Sequence, residues 1–161
     1  MKPAGFSIPT ASQHIADMNE PLVLTYEIDG DDFTCAGDAS ANVKRKLRWL
    51  GMPPDVVRRV SIAMYEGEIN MVLHANGGKA IVTIFPNYVQ IELIDKGPGI
   101  PNVELAMKEG YSTASERARD LGFGAGMGLP NMKRYTDEMS IETEIGKGTT
   151  IRMIVYLAKK S

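Results

Sequence analysis

The order of the predicted elements indicates an α+β layered fold. It runs strand, two helices, a strand hairpin, a glycine-rich segment, a helix and a final pair of strands. Paired strands and helices are segregated along the chain, which favours an α+β layer over alternating βαβ units. The length agrees, because 161 residues are one domain's worth of chain and can bury a core without disulfides. We therefore predict one domain over residues 20–161, preceded by a weakly ordered tail over residues 1–19.

The first three elements are a strand at residues 22–28, a helix ending near Leu50 and a long helix at residues 55–75. The turn-rich segment Asp29–Asp32 closes the strand. Asp38 or Ser40 is expected to cap the first helix, and Asp55 the second, since short polar side chains are preferred before a helix. Apolar residues of the long helix recur close to the period of 3.6 residues.

The remaining elements are strands at 80–85 and 88–94, a short helix at 102–109, an aperiodic segment at 110–128, a helix at 129–137 and strands at 139–145 and 149–157. Pro86 and Asn87 make the hairpin turn, and the second strand of that hairpin alternates apolar with polar residues. Gly146 to Gly148 supply the turn of the last strand pair.

Composition excludes several classes of protein. Hydrophobic residues are 43% and charged residues 24%, as in soluble globular domains. A net charge of −2 is too acidic for general nucleic-acid coating. One cysteine and two histidines leave no disulfide and no thiolate cluster for zinc, and they disfavour a His-rich metal site. No apolar run of about 18 residues occurs and the start lacks signal-peptide features, so we expect a cytoplasmic protein without a membrane span.

Two further sets of residues bear on which side chains are exposed and which are buried. Residues 44–59 hold six basic residues and a single acid, which predicts a solvated face or a docking surface for an acidic partner. Trp49 and Tyr65 sit at helical spacings that favour burial.

Glycine clustering is the strongest local signal. Seven of the 16 glycines fall between residues 97 and 128, and exposed backbone N–H groups followed by a helix start favour a polyphosphate. A loop without a ligand is the alternative. The familiar motifs are absent: Gly146-Lys147 lacks both the first glycine and the Ser/Thr of a P-loop, and residues 122–128 have glycine at every second position, unlike a dinucleotide fingerprint. The His-Arg-Asp and Asp-Phe-Gly kinase signatures are also missing.

Two further constellations carry polar chemistry. Glu66, Asn70 and His74 are four residues apart and form one stripe on the long helix. The amide oxygen of such an asparagine can ligate Mg²⁺, and the carboxylate can accept a proton. A solvated helix face remains the alternative, and Glu68, on another side, is expected at the surface.

Asp95 ends an apolar strand and opens into Gly97 and Gly99. A carboxylate there can accept a hydrogen bond from the adenine amine, worth about 1.5–3 kcal/mol. An ordinary turn is the alternative interpretation of this Asp-x-Gly-x-Gly sequence.

Taken in order, these motifs resemble the GHKL ATPase superfamily, which includes gyrase, histidine kinases and heat-shock chaperones. Within it, the chain is similar to the bacterial switch-protein kinases and anti-sigma factors, and the resemblance covers about residues 22–158. The segments Asp95–Pro101, Gly110–Thr113 and Gly126–Pro130 particularly resemble the RsbT-type serine kinases. It implies a histidine-kinase-like ATP-binding fold: a two-layer sandwich with a mixed, largely antiparallel sheet and helices on one face. MgATP would then lie between a helix and a lid.

The resemblance also implies site residues. Glu66 would be the general base, Asn70 the Mg²⁺ ligand, and Asp95 the adenine-binding carboxylate, supported through water by Thr149. The other nucleotide-binding positions would be His74, Gly97, Gly99, Ile100, Ser112, Thr113, Gly122, Gly124, Gly126, Met127, Gly128 and Leu129. Residues 114–121 depart from the family by making the lid longer and more charged.

The implied function is an ATP-dependent serine/threonine kinase of a bacterial partner-switching system that phosphorylates a STAS-domain protein. Two alternatives stay open: an anti-sigma factor that sequesters a sigma factor, and an ATP-gated module without transfer activity. A homodimer also stays open, and neither nucleic acid nor membrane is expected as a partner. A histidine kinase is disfavoured because His14 is the only upstream histidine and about 20 residues cannot form the phosphoacceptor hairpin.

Overall fold

A five-stranded sheet carries the helices on one face in the computed structural model, which describes residues 20–30, 32–108 and 128–158. The strands are β1 (Leu22–Asp29), β2 (Gly77–Ile84), β3 (Tyr88–Asp95), β4 (Glu138–Glu144) and β5 (Gly148–Tyr156). The helices are α1 (Asp38–Trp49), α2 (Pro54–His74), α3 (Val103–Ala106) and α4 (Gly128–Tyr135). The sheet order is β1-β2-β3-β5-β4, and every pairing is antiparallel. The predicted α+β two-layer fold is confirmed.

The core lies between the sheet and the helix layer. On β3, Val89, Ile91 and Leu93 are buried and alternate with residues that face the other side. That other side carries charged residues, among them Glu92 and its register partner Arg152, which form an ion pair of 3.2 Å. The period-two alternation predicted for this hairpin therefore separates core from solvent.

The long helix α2 packs directly on the central strand. A Cβ on Gly67 would overlap the side chain of Leu93, so only glycine lets the helix backbone approach β3 this closely. At the next contact, a Cβ on Gly97 would lie 2.7 Å from the Cα of Ala75, the residue after α2. Helix and strand therefore run side by side in the same direction.

The predicted cap of α1 is wrong. The residue before α1 is Gly37, with φ 99°, and no side chain of α1 caps its own start. Instead Glu68 of α2 accepts hydrogen bonds from the backbone N–H groups of Gly37 (3.0 Å), Ala39 (3.1 Å) and Ser40 (3.0 Å). The orphan donors of a helix start are satisfied by a residue about 30 positions away, which local spacing cannot show.

Glu68 itself was expected at the surface and is 2% exposed. Its burial is compatible with a charge because a carboxylate that accepts several N–H groups at a helix N-terminus is stabilised by both hydrogen bonds and the helix dipole. The side of α2 that faces α1 thus includes a polar residue that the apolar pattern of the sequence assigns to solvent.

The expected cap of α2 is also wrong. Pro53 precedes the helix without a side-chain cap, and Asp55 lies in the first turn, where it pairs with Arg58 (3.3 Å) and Arg59 (2.9 Å). Proline needs no N–H partner at this position, so no capping side chain is required for Pro54.

The two aromatic residues expected to be buried are exposed. Trp49 is 86% and Tyr65 41% exposed. On α1 the core is contacted by Val43 and Leu47, one turn apart, and Trp49 lies about 200° round the helix from Leu47. Arg45, Lys46 and Arg48 are exposed beside it.

Helices α3 and α4 are shorter than predicted. Asn102 caps α3 by accepting a hydrogen bond from Leu105 N at 3.0 Å, and α3 spans four residues. Helix α4 ends at Tyr135, because Asp137 turns away to accept hydrogen bonds from Tyr156 N (2.7 Å) and Arg59 (3.1 Å). No helix in the described parts of the chain is long and apolar enough to cross a bilayer.

Candidate functional site

Three strand ends form the floor of the candidate site. Asp95 of β3 is the register partner of Thr149 of β5, which in turn is the partner of Thr143 of β4. These residues continue the core-facing positions of their strands, since Asp95 follows Leu93 by two residues and Thr149 precedes Ile151 by two. A row of polar side chains therefore extends the helix-facing side of the sheet.

One oxygen of Asp95 is held by backbone donors. Its Oδ1 accepts hydrogen bonds from Gly97 N at 2.9 Å and Thr149 N at 3.2 Å. Within the described ranges, no donor reaches its other oxygen, Oδ2. The carboxylate is thus oriented through one oxygen and has acceptor capacity left on the other, as ligand binding requires.

Thr149 contacts Asp95 through its backbone, so its predicted contact through water stays a prediction. Its hydroxyl lies 2.9 Å from the hydroxyl of Thr143, which also accepts a hydrogen bond from Ile100 N at 2.8 Å. Thr143 was missed in the sequence. It has no motif of its own, and only the strand register shows that it belongs to this row.

The turn after β3 is built around glycines. Gly99 has φ +82°, which favours glycine, and a Cβ there would lie 2.6 Å from the carbonyl oxygen of Glu144. Gly97 rests on Ala75. Both predicted positions therefore have structural reasons to be glycine: they let the turn pack between the end of α2 and the β4–β5 connection.

The polar stripe on α2 lies at the same end of the molecule as Asp95. Gly67 sits over Leu93, and Ala75 sits over Gly97. Eight helical residues span about 12 Å and four strand residues about 13 Å, so the two segments match in length. Asn70 and His74 lie between these two contacts along the helix, and Asp95 lies between them along the strand.

Helix α4 contacts the stripe. Asn131 Nδ2 donates a hydrogen bond to Glu66 Oε1 at 3.0 Å. A Cβ on Gly128 would lie 2.8 Å from Asn70 Oδ1 and 2.9 Å from Nδ2, so the first residue of α4 rests on the Asn70 amide. Asn131 was also missed in the sequence, although its spacing of three from Gly128 places both on one helix face.

The remaining predicted residues divide into three groups. His74 is mostly buried, and desolvation lowers the pKa of its imidazole below the ordinary 6.5. Leu129 is 7% exposed and belongs to the hydrophobic core, while Ile100 packs against that core. The predicted positions Ser112, Thr113, Gly122, Gly124, Gly126 and Met127 lie outside the described residues.

The donor set can be tested against Mg²⁺. In the described parts of the chain, no three His, Cys, Asp or Glu side chains cluster as a metal site. Mg²⁺ bound with a nucleotide needs only one or two protein oxygens, because phosphate oxygens and water complete its shell. The Asn70 amide oxygen, beside Glu66 on the same helix face, fits that need.

A separate groove of about 410 Å³ lies on the other side of α4. It is lined by Val103, Met107, Lys133, Thr136, Asp137, Met139 and Ile141. Lys133 follows Asn131 by two residues, about 200° round the helix, so it lies on a different side of α4 from the residue that contacts Glu66.

The fold is an α+β sandwich with a carboxylate at the end of β3, and comparison with known proteins assigns it to a class of ATPases. Residues 51–159 match the family described as histidine kinase-, DNA gyrase B-, and HSP90-like ATPase. The chain belongs to this family, as the sequence motifs indicated.

Relatives with two different assigned roles are among those that match the chain. The chain is 37% identical over 105 residues to an anti-sigma F factor of Caldanaerobacter subterraneus, covering 62% of this chain and 70% of that protein. It is 32% identical over 130 residues to the serine/threonine-protein kinase RsbT of Bacillus subtilis, covering 78% and 90%.

Among solved structures, the RsbU and RsbW domains of a Mycobacterium tuberculosis protein align with a TM-score of 0.57 at 17% identity, covering 83% of this chain and 31% of that one. This likeness supports the fold.

Proposed function

We propose that this chain is an ATP-dependent serine/threonine protein kinase of a partner-switching system, with a STAS-domain protein as substrate. The observation that carries the proposal is the placement of Asp95 and the α2 stripe at one end of the fold. An adenine-binding carboxylate with a free oxygen, an Mg²⁺-ligating amide and a carboxylate base are then provided by two adjacent elements. The similarity to RsbT over 90% of that kinase supports the same assignment.

In this proposal Asp95 Oδ2 accepts a hydrogen bond from the adenine amine while Oδ1 stays bound to the backbone. The carbonyl of guanine at that position would face a carboxylate and be rejected. Asn70 would hold Mg²⁺, which neutralises charge on the phosphates. The chain's own contribution is mainly positioning and charge stabilisation, because phosphoryl transfer asks for little covalent help.

Glu66 would act on the partner's hydroxyl. The serine or threonine oxygen attacks the γ-phosphorus, the bond from that phosphorus to the bridging oxygen breaks, and ADP leaves. The hydroxyl proton passes to Glu66 Oε2, since Oε1 is engaged by Asn131. Atoms and charges balance without any further reactant.

The Glu66→Gln variant tests this proposal. With STAS-domain proteins of the same organism and γ-labelled ATP, the variant should keep its ATP affinity and lose partner phosphorylation by about a hundredfold or more. Glu142→Gln, at an exposed carboxylate of β4, is the matched control and should retain full activity. Equal phosphorylation by the wild type and Glu66→Gln would refute the base assignment.

An anti-sigma factor is the second candidate, favoured because several relatives carry that name. Capture from cell extract with MgATP present separates the two functions. Recovery of a sigma subunit that is not phosphorylated would support sequestration, whereas recovery of a STAS-domain protein with a new phosphoserine or phosphothreonine would support the kinase. If no sigma subunit is recovered and no recovered partner becomes phosphorylated, the result supports an ATP-gated module without transfer activity.

A further inference from the structure

The first turn of α4 touches two functional positions of α2 at once. Gly128 and Asn131 are three residues apart on α4, and the residues they contact, Asn70 and Glu66, are four apart on α2. Both spacings place residues on one helix face, so the two contacts are consecutive steps of a single helix–helix seam.

The two contacts differ in chemistry. Gly128 meets Asn70 by close packing, because it has no side chain to intervene. Asn131 instead reaches Glu66 with a directed hydrogen bond of 3.0 Å between Nδ2 and Oε1, and both residues are half-buried. Within the described residues, this is the one hydrogen bond that the Glu66 side chain makes, so Asn131 supplies the one directed contact that orients the carboxylate.

The α2–α4 contact does not need this bond to hold together. Leu129 and Met132, two residues before and one residue after Asn131, are 7% and 0% exposed and supply apolar packing of α4. A polar residue between them adds little burial. Its contribution is to orient the Glu66 carboxylate.

The chemical nature of the group that donates to Glu66 affects how well Glu66 can accept a proton. A lysine or arginine at this position would orient the carboxylate but would also stabilise its negative charge, making it a poorer proton acceptor. The asparagine amide is neutral and has no proton to give up. It can hold Oε1 while leaving Oε2 charged and open.

We infer that Asn131 is a positioning residue for Glu66, holding the carboxylate so that Oε2 faces the hydroxyl to be deprotonated. This inference rests on the proposed kinase function. Asn131 acts through Glu66 and has no contact of its own with the reacting atoms.

The test compares Asn131→Ala with wild type, using MgATP and the STAS-domain partner recovered by capture. The kcat for partner phosphorylation should fall by about tenfold to a hundredfold, the loss expected for a misplaced catalytic group. The KM for ATP and the affinity for a fluorescent ATP analogue should not change. Lys133→Ala, exposed on the same helix, is the matched control and should leave kcat unchanged.

A double variant separates positioning from general damage to the helix. In a Glu66→Gln background, Asn131→Ala should cause no further loss, because the group it positions is already inactive. An equal loss in both backgrounds would overturn the inference, as would unchanged kcat in the single variant.

Failure of the two proposals can be told apart. If Glu66→Gln keeps full activity, the proposed base is wrong and the role of Asn131 falls with it. If Glu66→Gln is inactive and Asn131→Ala is fully active, the role of Asn131 alone is refuted.

Should the alanine variant fail to fold, Asn131→Leu carries the test. Leucine is close to asparagine in size, cannot donate a hydrogen bond to Glu66 and adds no charge, so kcat should fall by about tenfold to a hundredfold at unchanged ATP affinity. Full activity of folded Asn131→Leu would overturn the inference.

Discussion

Two glutamates on α2, only two residues apart, have opposite environments. Glu68 points towards α1, is 2% exposed and accepts three backbone N–H groups. Glu66 points towards α4, is half-buried and accepts one side-chain amide. A carboxylate filled by backbone donors is committed to structure, whereas one with an open oxygen can still bind or react.

Asp95 combines both conditions in one side chain. Its Oδ1 is filled by two backbone N–H groups, as in Glu68, and its Oδ2 has no donor among the described residues, as in Glu66. Glu68 accepts backbone N–H groups on both carboxylate oxygens, whereas Asp95 and Glu66 each keep one oxygen without a donor among the described residues. This difference separates the structural carboxylate on the α1 side from the two carboxylates of the candidate site.

The largest expected effect is on the free energy of unfolding and follows from changing Glu68. Glu68→Ala removes three charge-assisted hydrogen bonds and leaves three N–H groups at the start of α1 without partners, which should lower the free energy of unfolding by about 3–5 kcal/mol. Urea denaturation measures this. Glu66→Ala is the paired control and should cost less than about 1 kcal/mol. Equal losses of stability in the two variants would contradict the proposed difference between Glu68 and Glu66.

A smaller effect is expected from changing Asp95, and the quantity affected is the affinity for ATP. Asp95→Asn keeps an oxygen for the backbone donors but replaces the open acceptor by an amide N–H₂, so ATP affinity should fall by about 1–3 kcal/mol. Titration calorimetry measures the affinity. Asp29→Asn, at the exposed end of β1, is the control and should bind ATP normally. Unchanged ATP affinity in Asp95→Asn would remove the adenine assignment.

The smallest expected effect is on the pH dependence of stability and concerns His74, the last residue of α2. Burial lowers the pKa of its imidazole from 6.5, so above that pH it is neutral in both the folded and the unfolded state and does not affect stability. Below it, the unfolded state takes up a proton that the folded state resists, and the free energy of unfolding falls as pH falls.

His74→Gln should therefore flatten the decline in stability between about pH 7 and pH 5, by less than about 1 kcal/mol. Denaturation curves at several pH values provide the measurement. The control is Lys133→Gln, at an exposed position of α4, which removes no group that titrates in this range and should keep the wild-type slope. An unaltered slope in His74→Gln would show that its burial does not couple to folding.

Local patterns predicted the parts of the site that repeat along one element. The spacing of four in Glu66, Asn70 and His74 placed them on one face of α2, and the alternation of β3 placed Asp95 on its core-facing side. Thr143 and Asn131 could not be found in this way, because each becomes a site residue only through a neighbouring strand or helix. The predicted lid positions within 109–127 stay predictions.

By itself, the sequence determined the layered α+β class, the antiparallel pairing of adjacent strands and the family, because periodicity and motif order are properties of a linear chain. The tertiary structure alone decided that Glu68 caps α1, that Trp49 is exposed and that Asn131 meets Glu66. These outcomes depend on which distant elements come into contact, and residue spacing carries no information about a partner 30 or 65 positions away.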